Sequence, residues 1–345
     1  MRNNTSKIGI LAPISHSFPP NGYGPWELVA YNLAEALVEL GEDVTVFATK
    51  EARTKAKLEY IIDTHLEGRT DINHRAAADI HIAYALKRSQ ELGIDILHNH
   101  LNIHPVLLST ISDVTMVTTL HAAARETENS LYYDYLRSQN FVSLSLAERQ
   151  FRPDLNYVGN VFNGVDFNNY SLKKEGKYLL FSGRVEREKG ILSAIQISKK
   201  TGLPLKIAGI VTNKSFFEEQ VKPHIDNQHI EFLGNLSYPE LTRALESTIA
   251  LIAMVEWNDT CPLSVIDALA SGVPVIGSTL GALPEMVDRP ELGVIVKNVD
   301  DAVAQLGSVA KIDPQTCQNL ARAKFSREVM AKKYLEIYKA ISTQS

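Results

Sequence analysis

The sequence predicts an α/β protein built of two Rossmann-like, doubly wound parallel-sheet domains that face each other across a cleft. Three observations lead there. Short β-branched or apolar runs alternate with segments of helical period along the whole chain. That alternation gives parallel strands with helices on both faces. The strand runs form two series, divided by the polar stretch Asn168–Lys177, which reads as a linker. The length, 345 residues, exceeds one ordinary domain of roughly 100–200 residues.

In chain order, the first series of strands is read at Lys7–Ala12, Asp43–Ala48, Asp95–His98, Val114–Leu120, Phe141–Ser145 and Tyr157–Phe162. The second is read at Tyr178–Ser182, Leu205–Ala208, Ile230–Leu233, Ile249–Met254, Pro274–Gly277 and Gly293–Val296. The first helix, Glu27–Leu40, carries an apolar stripe of Leu28, Val29, Ala30, Leu33, Ala34 and Leu37. Further helices are expected at Arg75–Gly93, Gly190–Thr201, Tyr238–Glu246, Pro262–Ser271, Asp300–Ala310 and Ser326–Ile341.

Composition narrows the class. Hydrophobic residues at 45% and charged residues at 22% exclude disorder and coiled coil. The longest apolar run, Ile249–Val255, is far short of the ~20 residues that cross a bilayer. The opening segment MRNNTSKIGILAP lacks the apolar core and cleavage site of a secretory leader. Cys261 and Cys317 are too few for a disulfide framework or a metal cluster, so a cytoplasmic location is expected. A net charge of −5 argues against nucleic acid as a partner.

Ligands of doubly wound sheets bind at the carboxyl ends of the strands. After the first strand, PISHSFPPNGYGP leads into a helix. Gly22 and Gly24 would let the backbone approach a phosphate at the helix start. A plain surface loop is the other reading. A dinucleotide fingerprint fits poorly, because Glu27 holds the third glycine position and the loop is too long.

The strand Tyr178–Ser182 runs into SGRVEREKG. Arg184 and Lys189 could both reach one diphosphate, the arginine through two bonds and the lysine as a point charge. Glu186, Arg187 and Glu188 lie between them, and a solvated charge run is the alternative. In MVEWNDTCPLSVIDALASG an apolar strand ends near Val255, and a helix follows with Pro262 in its first turn. Asp259 stands at the helix entrance, where a simple N-cap is also common. Asp267 lies two turns further on, among Leu263, Val265, Ile266 and Leu269. A buried carboxylate needs a partner, and sugar or ribose hydroxyls would serve. The N–H groups of Leu263 and Ser264 would point toward a phosphate there.

Taken in order, PPNGYGPWE, DILHNH, TTLH, VFNGVD, SGRVEREKG, IAG, FLGNLS and GALPEMV resemble the retaining glycosyltransferases of family 4, which have the GT-B fold. The resemblance implies an acceptor-side domain over 1–167, a nucleotide-sugar domain over 168–325, and a C-terminal helix, 326–345, that crosses back to the first. It implies that Arg184 and Lys189 bind the donor diphosphate and that Asp267 holds ribose hydroxyls. Asp259 would hold hydroxyls of the transferred sugar, and His121 would brace the reacting centre. The backbone near Leu236 would meet the base, and the Gly24 N–H the phosphate. His98, His100 and Asn163 would line the acceptor cleft. His98, His100 and His104 cluster as metal ligands do, but Asp95 is their one nearby acidic partner, and no metal site is expected.

The chain departs from the family where aspartates replace two glutamates at 259 and 267, and where Cys261-Pro262 replaces Phe-Gly. The resemblance still implies sugar transfer, without metal or other cofactor, from a nucleotide diphosphate sugar to an acceptor hydroxyl, as in polysaccharide or glycoconjugate synthesis. UDP-glucose is the first expected donor. A glycan or glycolipid is the expected acceptor, and a lipid-linked one would bring the chain to the inner membrane face. A catalytically silent nucleotide-sugar-binding protein and another GT-B enzyme, such as an epimerase, are the competing readings.

Overall fold

A computed structural model describes residues 6–124 and 126–343. The polar start of the segment read for a leader, residues 1–5, lies outside them. The chain divides into two compact units, Met1–Gly164 with Arg327–Ser345, and Val165–Ser326.

The first unit runs β1 (Lys7–Leu11), α1 (Pro25–Glu39), β2 (Asp43–Phe47), β3 (Lys57–Glu59), α2 (His74–Leu92), β4 (Ile96–Asn99), α3 (His104–Ser109), β5 (Met116–Leu120), α4 (Glu126–Leu136), β6 (Asn140–Ser143) and β7 (Tyr157–Asn160). The second runs β8 (Tyr178–Ser182), α5 (Ile191–Thr201), β9 (Leu205–Ala208), α6 (Lys214–Phe216), β10 (Ile230–Gly234), α7 (Tyr238–Leu245), β11 (Thr248–Ala253), α8 (Leu263–Ala270), β12 (Val275–Ser278), α9 (Leu283–Met286), β13 (Gly293–Val296), α10 (Val299–Val309) and α11 (Pro314–Phe325). The last helix, α12 (Arg327–Ser342), belongs to the first unit.

Every strand pair is parallel. The sheet orders are β3-β2-β1-β4-β5-β6-β7 and β10-β9-β8-β11-β12-β13. Each therefore reverses direction once, between β1 and β4 and between β8 and β11, as in Rossmann sheets. Strands covered on both faces read as continuous apolar runs, and β1, β8 and β11 do so. Within the second unit, Leu179, Ile207, Ile252 and Ile276 pack with Ile191, Ile195 and Val309 of the flanking helices.

Two differences from the sequence reading have local causes. The stretch Asn168–Lys177 is no free linker. Its Lys173, Lys174 and Lys177 N–H groups donate to the carbonyls of Ser271, Glu246 and Ser247. That pairing holds it against the second unit, and the chain passes between units at Gly164–Val165. The short edge strand β3 offers no apolar run to find. In the first unit α12 packs on α1, with an ion pair between Arg327 and Glu39 at 3.0 Å and with Tyr334 and Tyr338 buried. Among the described residues no helix is long and apolar enough to cross a membrane.

The Asp313 side chain caps α11, accepting from the Thr316 N–H at 2.8 Å. Asp313→Ala should lower the stability of the chain by about 1 kcal/mol, read as a shift in the urea midpoint.

Candidate functional site

The carboxyl ends of β8 and β11 lie side by side where the second sheet reverses. A small cavity of about 40 Å³ opens there, lined among others by Ser182, Gly183, Lys189, Val255, Asp259 and Ser264. The turn after β8 divides the charge run of SGRVEREKG. Arg187 and Glu188 are exposed, while Lys189 is turned inward with 17% of its side chain exposed. Gly190 makes that turn possible. Its φ is +76°, and an added Cβ would stand 1.8 Å from the Met254 carbonyl oxygen. The two loops are further joined by the Glu256 N–H, which donates to the Glu188 carbonyl at 2.8 Å.

Lys189 Nζ donates to Asp259 Oδ2 at 2.5 Å. Its ammonium also lies 4.7 Å from the centre of the Trp257 ring. The cation is thus held between a carboxylate and an aromatic face. The Asp259 loop is pinned in turn by GALPEMV. Ala282 N–H donates to the Asp259 carbonyl at 2.9 Å, and Gly281 N–H to Asn258 Oδ1 at 3.0 Å. Asp259 is therefore part of the cavity wall and is paired with a cation. Arg184 follows Gly183 directly, pairs with Glu186 at 3.3 Å and is partly exposed.

Pro262 is the N-cap of α8 and not a residue of its first turn. The N–H groups of Leu263 and Ser264, the first two of the helix, are therefore intact as donors despite the proline. Asp267 lies one turn further along the helix and is 6% exposed. Its Oδ1 accepts the Tyr170 hydroxyl at 2.5 Å. Burial pushes its carboxyl up to about 7, and the Tyr170 bond opposes that rise. Leu236 is half-buried in the loop between β10 and α7, just before the capping box of Ser237 and Glu240.

In the first unit the loop after β1 exposes Gly22 and buries Gly24. Gly24 has φ +155°, and an added Cβ would meet the Pro20 Cβ at 2.7 Å. The loop is anchored by buried Glu27, which accepts the His16 N–H at 3.0 Å. His121 follows β5, stacks on Trp26 with ring centres 5.4 Å apart, and shares a hydrogen bond with His100 at 2.9 Å. Burial lowers the His121 imidazole to about 3 and that of His100 well below its usual range, so both are neutral at pH 7.

His98 is not on an open cleft wall. It is fully buried, bonded to the Tyr338 hydroxyl at 2.6 Å and to Thr119 Oγ1 at 2.8 Å. Tyr334 closes the group by a 2.6 Å bond to Thr119. His100 is equally buried, beside His121 and away from solvent. His104 is separate, bonded to Asp79 at the surface. Asn163 is buried immediately before Gly164. Trp26, Trp257, Tyr170 and Tyr238 escaped the sequence reading. An aromatic inside the polar turn Glu256–Thr260 was the available signal for Trp257.

Two family models match the chain in tandem: Glycosyltransferase Family 4 over residues 27–158 and Glycosyl transferases group 1 over residues 164–327. Glycogen synthase of Mycobacterium tuberculosis is 25% identical, over 90% of this chain and 88% of its own. The solved structure of AviGT4, a glycosyltransferase involved in avilamycin A biosynthesis, superposes with a TM-score of 0.74 at 20% identity, covering 99% of each chain. HepE of Anabaena, solved in complex with UDP-glucose, gives 0.70 at 13% identity, over 98% of this chain and 99% of that one. The order of the two matches follows the order of the two Rossmann-like sheets, and on that evidence the chain belongs to the family-4 glycosyltransferases of GT-B fold.

Proposed function

We propose that this glycosyltransferase moves a sugar from a nucleotide diphosphate sugar, with UDP-glucose as the first donor, to an acceptor hydroxyl with retention of configuration. The observation that carries this reading is the Lys189–Asp259 pair on the cavity wall where the second sheet reverses. Lys189, Arg184 and the first N–H groups of α8 supply fixed positive charge for the leaving diphosphate. Asp259 accepts from hydroxyls of the transferred sugar, and Asp267 from the ribose. His121, neutral and held by its stack on Trp26, donates to the donor sugar at the reacting centre. The complexes of HepE with UDP and UDP-glucose support the choice of donor. In a retaining front-face displacement the glycosidic C–O bond to the phosphate breaks. The acceptor oxygen bonds to the same face of that carbon, and its proton passes to the leaving phosphate oxygen.

The test is incubation of the chain with UDP-glucose and a panel of glycan and glycolipid acceptors. Release of UDP with a new α-linked sugar, read by the anomeric NMR coupling, is expected. Donor binding without turnover on any acceptor would favour a silent binding protein. A β-linked product would overturn retention.

Metal independence belongs to the same reading. No Asp-x-Asp motif stands in the loops after β8 or β11. The cations at Arg184 and Lys189 supply the charge that a divalent ion would otherwise bring. Transfer is expected to persist in excess chelator. Full loss, restored by manganese or magnesium, would show that a metal carries the leaving-group charge.

A further inference from the structure

Asp267 is the end of a buried hydroxyl chain. Tyr238, the first residue of α7, donates its hydroxyl to that of Tyr170, and Tyr170 donates to Asp267 Oδ1 at 2.5 Å. The two rings meet edge to face, 5.6 Å between centres at 75°. Tyr170 is 6% exposed, and Tyr238 is half-buried. Among the described residues no side chain donates to Asp267 Oδ2. One carboxylate oxygen is thus tied down and the other is left for a ligand.

We propose that Tyr170 is a positioning residue for the nucleotide: it fixes the Asp267 carboxylate by Oδ1 so that Oδ2 meets the donor ribose. This rests on the proposed ribose contact of Asp267. An aspartate turns about two soft torsions, and a ligand that must first stop that rotation binds less tightly. A single short bond from a buried phenol stops it beforehand. Tyr238 extends the tie to the Leu236–Tyr238 segment, which the same reading places at the base. Ribose and base contacts are then set by one hydrogen-bonded chain. The distance has a steric consequence too. With Oδ1 already in hydrogen-bond contact with the phenol oxygen, a longer acid at 267 must turn aside from the hydroxyl to fit.

The experiment titrates the full chain with whichever of UDP, ADP and GDP wild type binds tightest, with its 2′-deoxy form, and with inorganic diphosphate. Tyr170→Phe is expected to weaken the nucleoside diphosphate about five- to tenfold. The 2′-deoxy form should lose less, and inorganic diphosphate should bind as before. At saturating donor, kcat should fall less than affinity. Asp267→Glu alone should weaken the nucleotide, and Tyr170→Phe/Asp267→Glu should recover part of the loss, a coupling expected of touching residues.

Unchanged nucleotide affinity in Tyr170→Phe, with a loss in Asp267→Asn, overturns the positioning role and leaves the ribose contact standing. No loss in Asp267→Asn, or no binding of any of the three nucleotides, overturns the ribose reading and this inference with it. Equal losses for nucleotide and inorganic diphosphate would mean general damage and also overturn it. Should Tyr170→Phe fail to fold by circular dichroism, Tyr238→Phe takes its place. There a loss of about twofold with the same ligand pattern is expected, and no loss overturns the proposal.

Discussion

His121→Ala is expected to slow sugar transfer by about 10²–10³ and to leave nucleotide diphosphate affinity within about twofold, the pattern of one lost transition-state donor. The position of the imidazole is the reason. It follows the buried strand β5, lies on the face of Trp26 and is tied to His100 at 2.9 Å. Neither contact involves Arg184, Lys189 or the start of α8, so removing the ring should leave their part of the diphosphate subsite intact. Burial holds the imidazole near 3, so in the proposed role it is a neutral donor and does not titrate between pH 5 and 8. The pH–rate profile over that range should therefore lack a histidine limb. Affinity is best followed by tryptophan fluorescence, because Trp257 lies against Lys189 in the other unit. Wild-type turnover in the variant would make His121 structural. A limb near 6.5 that disappears in the variant would contradict the neutral donor.

Much of the fold was legible because parallel strands covered on both faces leave continuous apolar runs, which need no distant information. β8 and β13 fall where such runs stand. What escaped lacked that signal. β3 is three residues at a sheet edge, charged at both ends. α4, within ETENSLYYDYL, has no apolar stripe to mark it. α11 did carry a sign, Asp313-Pro314, a capping acid before a proline at the first helical position.

The site divides in the same way. Local spacing raises Arg184, Lys189, Asp259 and Asp267 as candidates, since each lies just beyond a strand or on the helix after one, and their proposed roles come from the family resemblance. Their partners are distant in sequence and were not legible. Tyr170 meets Asp267 across 97 residues, and Tyr338 meets His98 across 240. The second contact turns a strand-end histidine into a core residue. No pattern within DILHNH distinguishes the two outcomes. Gly190 is a similar case, because its need for glycine comes from the Met254 carbonyl on another strand's loop.

Lys189→Ala is expected to reduce kcat by roughly 10²–10³ and to weaken donor and free nucleotide as well. The diphosphate gains charge as the sugar bond breaks, so a cation that contacts it is worth more in the transition state than in the ground state. The variant also loses more than a cation. Asp259 Oδ2 is held by Lys189 at 2.5 Å, and without it an uncompensated carboxylate faces the incoming phosphates. Lys189→Arg keeps the charge but replaces a compact ammonium with a planar fork in a gap bounded by Asp259 and Trp257. It should recover affinity more fully than kcat. Asp267→Asn provides the contrast. Its proposed partner, the ribose, does not change during reaction, so at pH 8, where the Asp267 carboxyl is ionised, the variant should weaken nucleotide and donor alike by about 1.5–3 kcal/mol while kcat at saturation is largely kept. The measurement is kcat and free-nucleotide affinity for all three variants, with circular dichroism to confirm folding. If Lys189→Ala alters only KM, while Asp267→Asn abolishes kcat with binding intact, the roles assigned to the two residues are wrong. The carboxyl would then act at the reacting carbon, where the developing charge is positive, and the ammonium would serve binding alone.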